Sequence, residues 1–231
     1  MFALILMIGI AFPTSPAVPP AQNNATIELD GKKVAVEWVD GDTFVVISTG
    51  VKARLDGFNT LESYGPVHKF GPGPAALFGI ANAATDLAKS QVWTCTKQSD
   101  DGGYGRIGVD CPGLRTAMLE QGLAHVFAVD GPASKSSLEA QALGIAAKAG
   151  MWSKGAPDGV VTSAHSLDEK EGATQNYNRV MRVSDGSAPK QMHSEVYKPC
   201  SWVCASGSCL LYVPYSMRYG ENKAQCLQSE Q

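Results

Sequence analysis

The sequence predicts an α+β fold with a small closed or partly open β-barrel at its centre. Three observations lead there: short β-branched strands over residues 27–62 with turn dipeptides between them, helical spacing after that run, and a second hairpin set between helices. With 231 residues and 44% hydrophobic side chains, the chain can build one large domain or one ordinary domain with appendages. Its net charge of −3 gives no general attraction to nucleic acid, so any phosphate chemistry has to come from a locally basic site.

The elements follow in chain order. Residues 1–10 are almost wholly apolar and run into a Pro-rich stretch, too short to span a bilayer but suited to a signal peptide over 1–18, with Ser15-Pro16-Ala17 offering small residues for cleavage. No Lys or Arg stands near Met1, and a buried first strand is the alternative. Residues 27–39 are strand-like, broken by Asp30-Gly31. Asp40-Gly41 is a turn, residues 43–47 form a strand of β-branched and aromatic residues, Ser48-Thr49-Gly50 turns again, and residues 51–55 return. The Pro- and Gly-dense stretch after Glu62 excludes regular structure. Helices are expected over 75–89, 114–121 and 137–149, a hairpin over 91–97 and 104–111, and an extended segment over 123–129, with Trp152 packing back onto the barrel.

Beyond Pro157 the character changes. Residues 158–195 are polar and low in aromatics, and read as a linker, disordered in part. Residues 196–231 form a cysteine-rich module too small to hold a core without covalent staples. An even count of six cysteines behind a signal-like leader favours disulfides and a secreted, extracellular or periplasmic protein. A Cys95–Cys111 bridge would brace the second hairpin; Cys200, Cys204, Cys209 and Cys226 allow three pairings, with zinc as the alternative.

The chemistry concentrates in residues 36–62, where Asp42, Arg54, Asn59 and Glu62 fall near strand ends. Hydrolysis of a phosphodiester needs a base for water and donors for the charge that builds on phosphorus. Glu62 suits the first role; Arg54 and Arg106 suit the second through paired hydrogen bonds to phosphate oxygens. A structural Arg54–Glu62 salt bridge is the plain alternative. A hard cation would take oxygen ligands, for which Asp42, the Asn59 side chain and the Thr60 carbonyl are the natural set. His68 and His125 read as surface or packing residues, and Asp40 as a turn or outer-sphere group.

Asp40-Gly41-Asp42-Thr43, Arg54 eight residues before Glu62, Tyr104-Gly105-Arg106, Gln121-Gly122-Leu123-Ala124, Glu139-Ala140-Gln141 and Gly150-Met151-Trp152 stand in an order that resembles the staphylococcal nuclease (thermonuclease-like) family over residues 27–156. That resemblance implies a five-stranded OB-type β-barrel with three helices, Glu62 as general base, Arg54 and Arg106 as transition-state donors, and Ca²⁺ at Asp42, Asn59 and Thr60. It implies a Ca²⁺-dependent endonuclease acting on DNA and RNA, preferring single-stranded or frayed substrate and leaving 5′-hydroxyl and 3′-phosphate ends, without a stable protein partner and as a monomer. Asn59 stands where the best-known members carry a second metal-binding aspartate, Leu61 replaces a proline, and the segment before Tyr104 lacks a lysine. A barrel that binds single-stranded nucleic acid or a protein without cutting is the second expectation.

Overall fold

The structure, a computed structural model, describes residues 24–228; the expected signal peptide at 1–18 lies outside the described residues. Among these, the chain forms β1 (Asn24–Leu29), β2 (Lys32–Trp38), β3 (Thr43–Val46), β4 (Lys52–Leu55), β5 (Phe58–Thr60), β6 (His68–Lys69), α1 (Pro74–Lys89), β7 (Thr94–Ser99), β8 (Ile107–Asp110), α2 (Pro112–Glu120), β9 (Ala124–Val126) and α3 (Lys135–Ala146). Then come β10 (Gly159–Ser163), β11 (Asn176–Arg182), β12 (Lys190–His193), β13 (Ser201–Ala205) and β14 (Ser208–Tyr212).

A closed barrel runs in the order β1-β2-β3-β4-β8-β7. It has six strands where five were expected, and the reason is Asp30-Gly31. Both residues take positive φ (50° and 76°), so the apparent break in one strand is a tight hairpin turn, and β1 folds back antiparallel on β2 with Leu29 opposite Lys32. β1 then closes the barrel on β7 in parallel, Leu29 opposite Cys95, while β4 and β8 pair in parallel on the other side. Alternation along β2 turns Val36 and Trp38 inward, and they meet Phe44, Ala53, Leu55, Val109 and the α2 residues Leu114 and Met118. The Cys95–Cys111 bridge forms and ties the start of β7 to the residue after β8. Closing a loop of this length contributes about 3 kcal/mol.

The helices fall where their periodicity put them. α1 opens on Pro74 behind Gly73, which takes φ 91°, and buries Leu77, Ala81, Ala84 and Ala88. In α3 the Ser134 hydroxyl accepts the Ser137 N–H at the amino end. Trp152 is buried, though beside Phe70, Leu77, Val160 and Met181 rather than in the barrel interior.

Residues 158–195 are not a linker. β10, β11 and β12 form a three-stranded antiparallel sheet whose Val161 and Val180 pack against Leu210, Leu211 and Tyr212 of β14. Its other face, with Val160 and Met181, packs on Phe70, Leu77 and Trp152, so the apolar residues of this sheet are few and paired rather than alternating. Nor is the cysteine-rich region a separate module. β14 pairs with β6, the Leu211 N–H donates to the Val67 carbonyl at 2.7 Å, and the Gly159 N–H donates to the Ser206 carbonyl at 2.9 Å. The short strand β6 lies inside the Pro- and Gly-dense stretch that sequence had excluded from regular structure, its partner being distant in the chain. All six cysteines are paired, as Cys95–Cys111, Cys200–Cys226 and Cys204–Cys209, which removes zinc as their role. Three disulfides suit an oxidising compartment, and among the described residues no helix is long and apolar enough to cross a membrane.

Candidate functional site

The turn between β2 and β3 builds the centre. Asp40 Oδ1 accepts the Asp42 N–H at 3.0 Å, which directs the Asp42 carboxylate inward, where it is 1% exposed. Gly41 is closely packed here: a Cβ at that position would lie 2.7 Å from the Thr60 side chain and 2.8 Å from Ala84 Cβ on α1. Asp42 Oδ2 accepts from both the N–H (2.7 Å) and the hydroxyl (2.9 Å) of Thr60; Oδ1 accepts from the Thr43 hydroxyl at 3.0 Å and pairs with Arg54. Arg54 stands opposite Thr43 in the β3–β4 register, and its second Nη donates to Asn59 Oδ1. Asn59 in turn donates to the Thr60 carbonyl at 2.8 Å. Burial pulls the Arg54 guanidinium down to about 10, which leaves it charged at neutral pH.

Arg106 precedes β8 by one residue, and Gly108 lies beside Arg54 in the parallel β4–β8 pair. Its Nε donates to the Gly103 carbonyl at 3.0 Å, and its guanidinium lies 5.6 Å from the ring centre of the exposed Tyr104. Glu62 follows β5. Although 35% of its side chain is accessible, burial of the rest pushes its carboxyl above the ordinary value; Arg218 pulls against this, Asp40 adds to it, and Arg54 opposes it. Asp40 is likewise pushed up by burial, against the pull of Arg54 and then Arg106. The fold therefore brings Arg54, Glu62 and Arg106 into one electrostatic neighbourhood centred on Asp40. An Arg54–Glu62 salt bridge does not form; Arg54 pairs with Asp42 instead.

The fit to Ca²⁺ can be tested on these contacts. An ionised carboxylate has about four lone-pair sites and Ca²⁺ takes about six to eight oxygens. Asp42 already receives Thr43, Arg54 and two donors from Thr60, Asn59 Oδ1 receives Arg54, and the Thr60 carbonyl receives Asn59. Arg54 thus sits between the expected ligands with the positive charge a cation would bring. Among the described residues no group of three His, Cys, Asp or Glu side chains is placed to hold a metal. The expected ligand set Asp42, Asn59 and Thr60 does not fit Ca²⁺ as arranged.

Two further kinds of group complete the surroundings. His68 and His125, read as surface or packing residues, are both buried and pack. The Glu62 N–H donates to His68 Nε2 at 3.1 Å, which makes His68 the Nδ1–H tautomer and a support for the Glu62 backbone. His125, opposite Asn59 in the β5–β9 pair, directs Nδ1 at the Val126 carbonyl at 2.9 Å. Burial holds His68 down at about 3, helped by His125, and His125 at about 4, with Arg54 adding to its fall. The second group is Arg218, whose Nη1 reaches to 4.0 Å from Glu62 Oε2 across more than 150 residues of chain. Only its place among tyrosines and cysteines could have signalled it. Two surface cavities, of about 330 and 320 Å³, lie elsewhere, the first beside Tyr197 and Trp202 and the second beside Asp56 and Arg115. Neither is lined by Arg54, Glu62 or Arg106. No protein-family model matches the chain, and no curated protein matches it.

Proposed function

We propose that the chain is a secreted nuclease that hydrolyses phosphodiester bonds of DNA and RNA endonucleolytically, with low sequence specificity, on a barrel of OB type. One observation supports the reading: Arg54 stands beside Gly108, at the start of β8 just after Arg106, and bonds to Asn59, three residues before Glu62. A carboxylate raised by burial is a better proton acceptor near neutral pH than an ordinary one. Glu62 takes a proton from water, the water oxygen bonds to phosphorus, and the bond to the 5′-oxygen breaks; that oxygen takes a proton from solvent and Glu62 later returns its own, leaving a 3′-phosphate and a 5′-hydroxyl. Arg54 uses one N–H on Asp42 and another on Asn59, so its geometry is fixed before substrate arrives. Its remaining N–H groups and those of Arg106 stabilise charge on the phosphate oxygens, with little reorganisation left for the transition state. The resemblance of the 27–156 segment to the staphylococcal nuclease family supports the same roles.

A second reading follows from the Asp42–Arg54–Asn59 network. A barrel whose arginine is held by a carboxylate, with Arg218 beside its base, could bind nucleic acid without cutting it. Digestion of denatured DNA separates the two. The nuclease releases acid-soluble nucleotide, and Arg106→Ala lowers the rate by about a hundredfold or more. Retention of labelled DNA with no release favours the module.

A further inference from the structure

The C-terminal stretch that carries Arg218 brings a row of aromatic rings to the edge of the site. The Arg218 guanidinium lies over Tyr64, 4.6 Å from the ring centre, and its Nε donates to the Val213 carbonyl at 3.0 Å. Tyr219 meets Tyr64 edge-on at 6.2 Å and Tyr215 at 6.3 Å. The row thus starts beside Glu62 and runs outward through three rings. Tyr64 is buried, whereas Tyr219 is 56% and Tyr215 76% exposed. Burial and the Glu62 charge both push the Tyr219 phenol up, which places that ring in the field of the carboxylate.

Nothing in the barrel requires these rings to be open, yet the segment that holds them is well fixed. The Ala224 N–H donates to the Met217 carbonyl at 2.8 Å, Leu227 packs against Gly65, and Cys226 is bonded to Cys200. An exposed aromatic pair held rigidly beside a cation is suited to flat, anionic ligands, because little freedom remains to be lost on binding.

We infer that Tyr215 and Tyr219 form a stacking subsite for unpaired bases of single-stranded nucleic acid, with Arg218 holding a phosphate of the same strand beside Glu62. The inference rests on the nucleic-acid reading of the site and extends it to residues outside the 27–156 segment. Every base offers a π-face, so the subsite is tolerant of sequence, and a duplex hides those faces, so the subsite selects unpaired strands.

The test is equilibrium binding by the full chain to a fluorescein-labelled phosphorothioate oligothymidylate, which resists cutting, and to its duplex, read by fluorescence anisotropy. Native protein should bind the single strand more tightly than the duplex. The double variant Tyr215→Ala/Tyr219→Ala should raise the single-strand Kd about tenfold or more and leave the duplex Kd in place. Tyr215→Phe/Tyr219→Phe should keep native affinity, since the rings remain. Both positions are exposed, and matching thermal melts establish that each variant folds. An alanine variant that binds the single strand as native does overturns the inference, as does a chain with no single-strand preference. A chain that binds in this way but releases no nucleotide fails the nuclease reading and leaves the subsite standing. One that cuts, yet binds equally well without both rings, fails the subsite alone.

Discussion

Replacing His68 with Gln should flatten the acid side of the stability profile by a calculable amount. His68 is buried and held down at about 3, whereas an unfolded histidine titrates at 6.5. Below 6.5 the unfolded chain therefore binds a proton that the native chain refuses, so this stability is full above 6.5 and lost as pH falls towards 3. Between about pH 7.5 and about pH 5 the loss is about 2 kcal/mol for one such histidine. His125, held at about 4, contributes a similar amount over the same window. Asp40, Asp56 and Glu62 act in the opposite sense, because burial raises each of them and the native chain gains protons there first. Comparing each protein with itself at the two pH values, and then native with variant, cancels the carboxylates. The assay is urea unfolding with linear extrapolation at each pH. The native chain should lose about 2 kcal/mol more than His68→Gln, and about 4 kcal/mol more than the variant lacking both histidines. Equal pH dependence in all three proteins would refute buried, neutral histidines as supports of the site.

Other consequences can be checked directly. Gly41→Ala should destabilise the fold by about 1–3 kcal/mol in the same urea assay, because the added Cβ meets Thr60 and α1 at under 3 Å; a neutral effect contradicts that packing. Loss of the Cys200–Cys226 bridge, which spans 26 residues, should cost about 3.5 kcal/mol against about 2 kcal/mol for Cys204–Cys209, which spans 5, and equal costs would argue against constraint of the unfolded chain as the cause. Ca²⁺ must displace Arg54 to reach Asp42, so calorimetry should find a Kd no tighter than about 10⁻³ M; a micromolar site would show that these oxygens do hold Ca²⁺. Since Arg218 holds the Glu62 carboxyl down, Arg218→Met should move the acidic limb of any cleavage profile to higher pH, and an unmoved limb would separate the two groups.

The barrel was legible because its signals are local. Thr43, Phe44, Val45 and Val46 between two turn dipeptides specify β3 without reference to anything distant, and helical spacing placed α1–α3. Asp30-Gly31 shows the limit: the same dipeptide can interrupt a strand or reverse it, and the difference depends on whether residues 24–29 find β7 to close against. The sheet of β10–β12 was missed because it is held between two distant partners, the β13–β14 hairpin on one face and Phe70, Leu77 and Trp152 on the other. The site divides in the same way. Asp42, Arg54, Asn59 and Glu62 stand out together in one stretch, but the way they pair does not. The pairing of Arg54 with Asp42, the support of Glu62 by His68 and the approach of Arg218 are tertiary contacts that no spacing encodes.

Whether Glu62 accepts the proton of the attacking water is decided by timed release of acid-soluble nucleotide from denatured DNA by native protein and by Glu62→Gln, which keeps the side chain's shape and removes its basicity. Native protein should cut, and Glu62→Gln should be slower by a factor of about 10² or more while still binding the DNA. Equal rates in the two proteins would rule Glu62 out as the base.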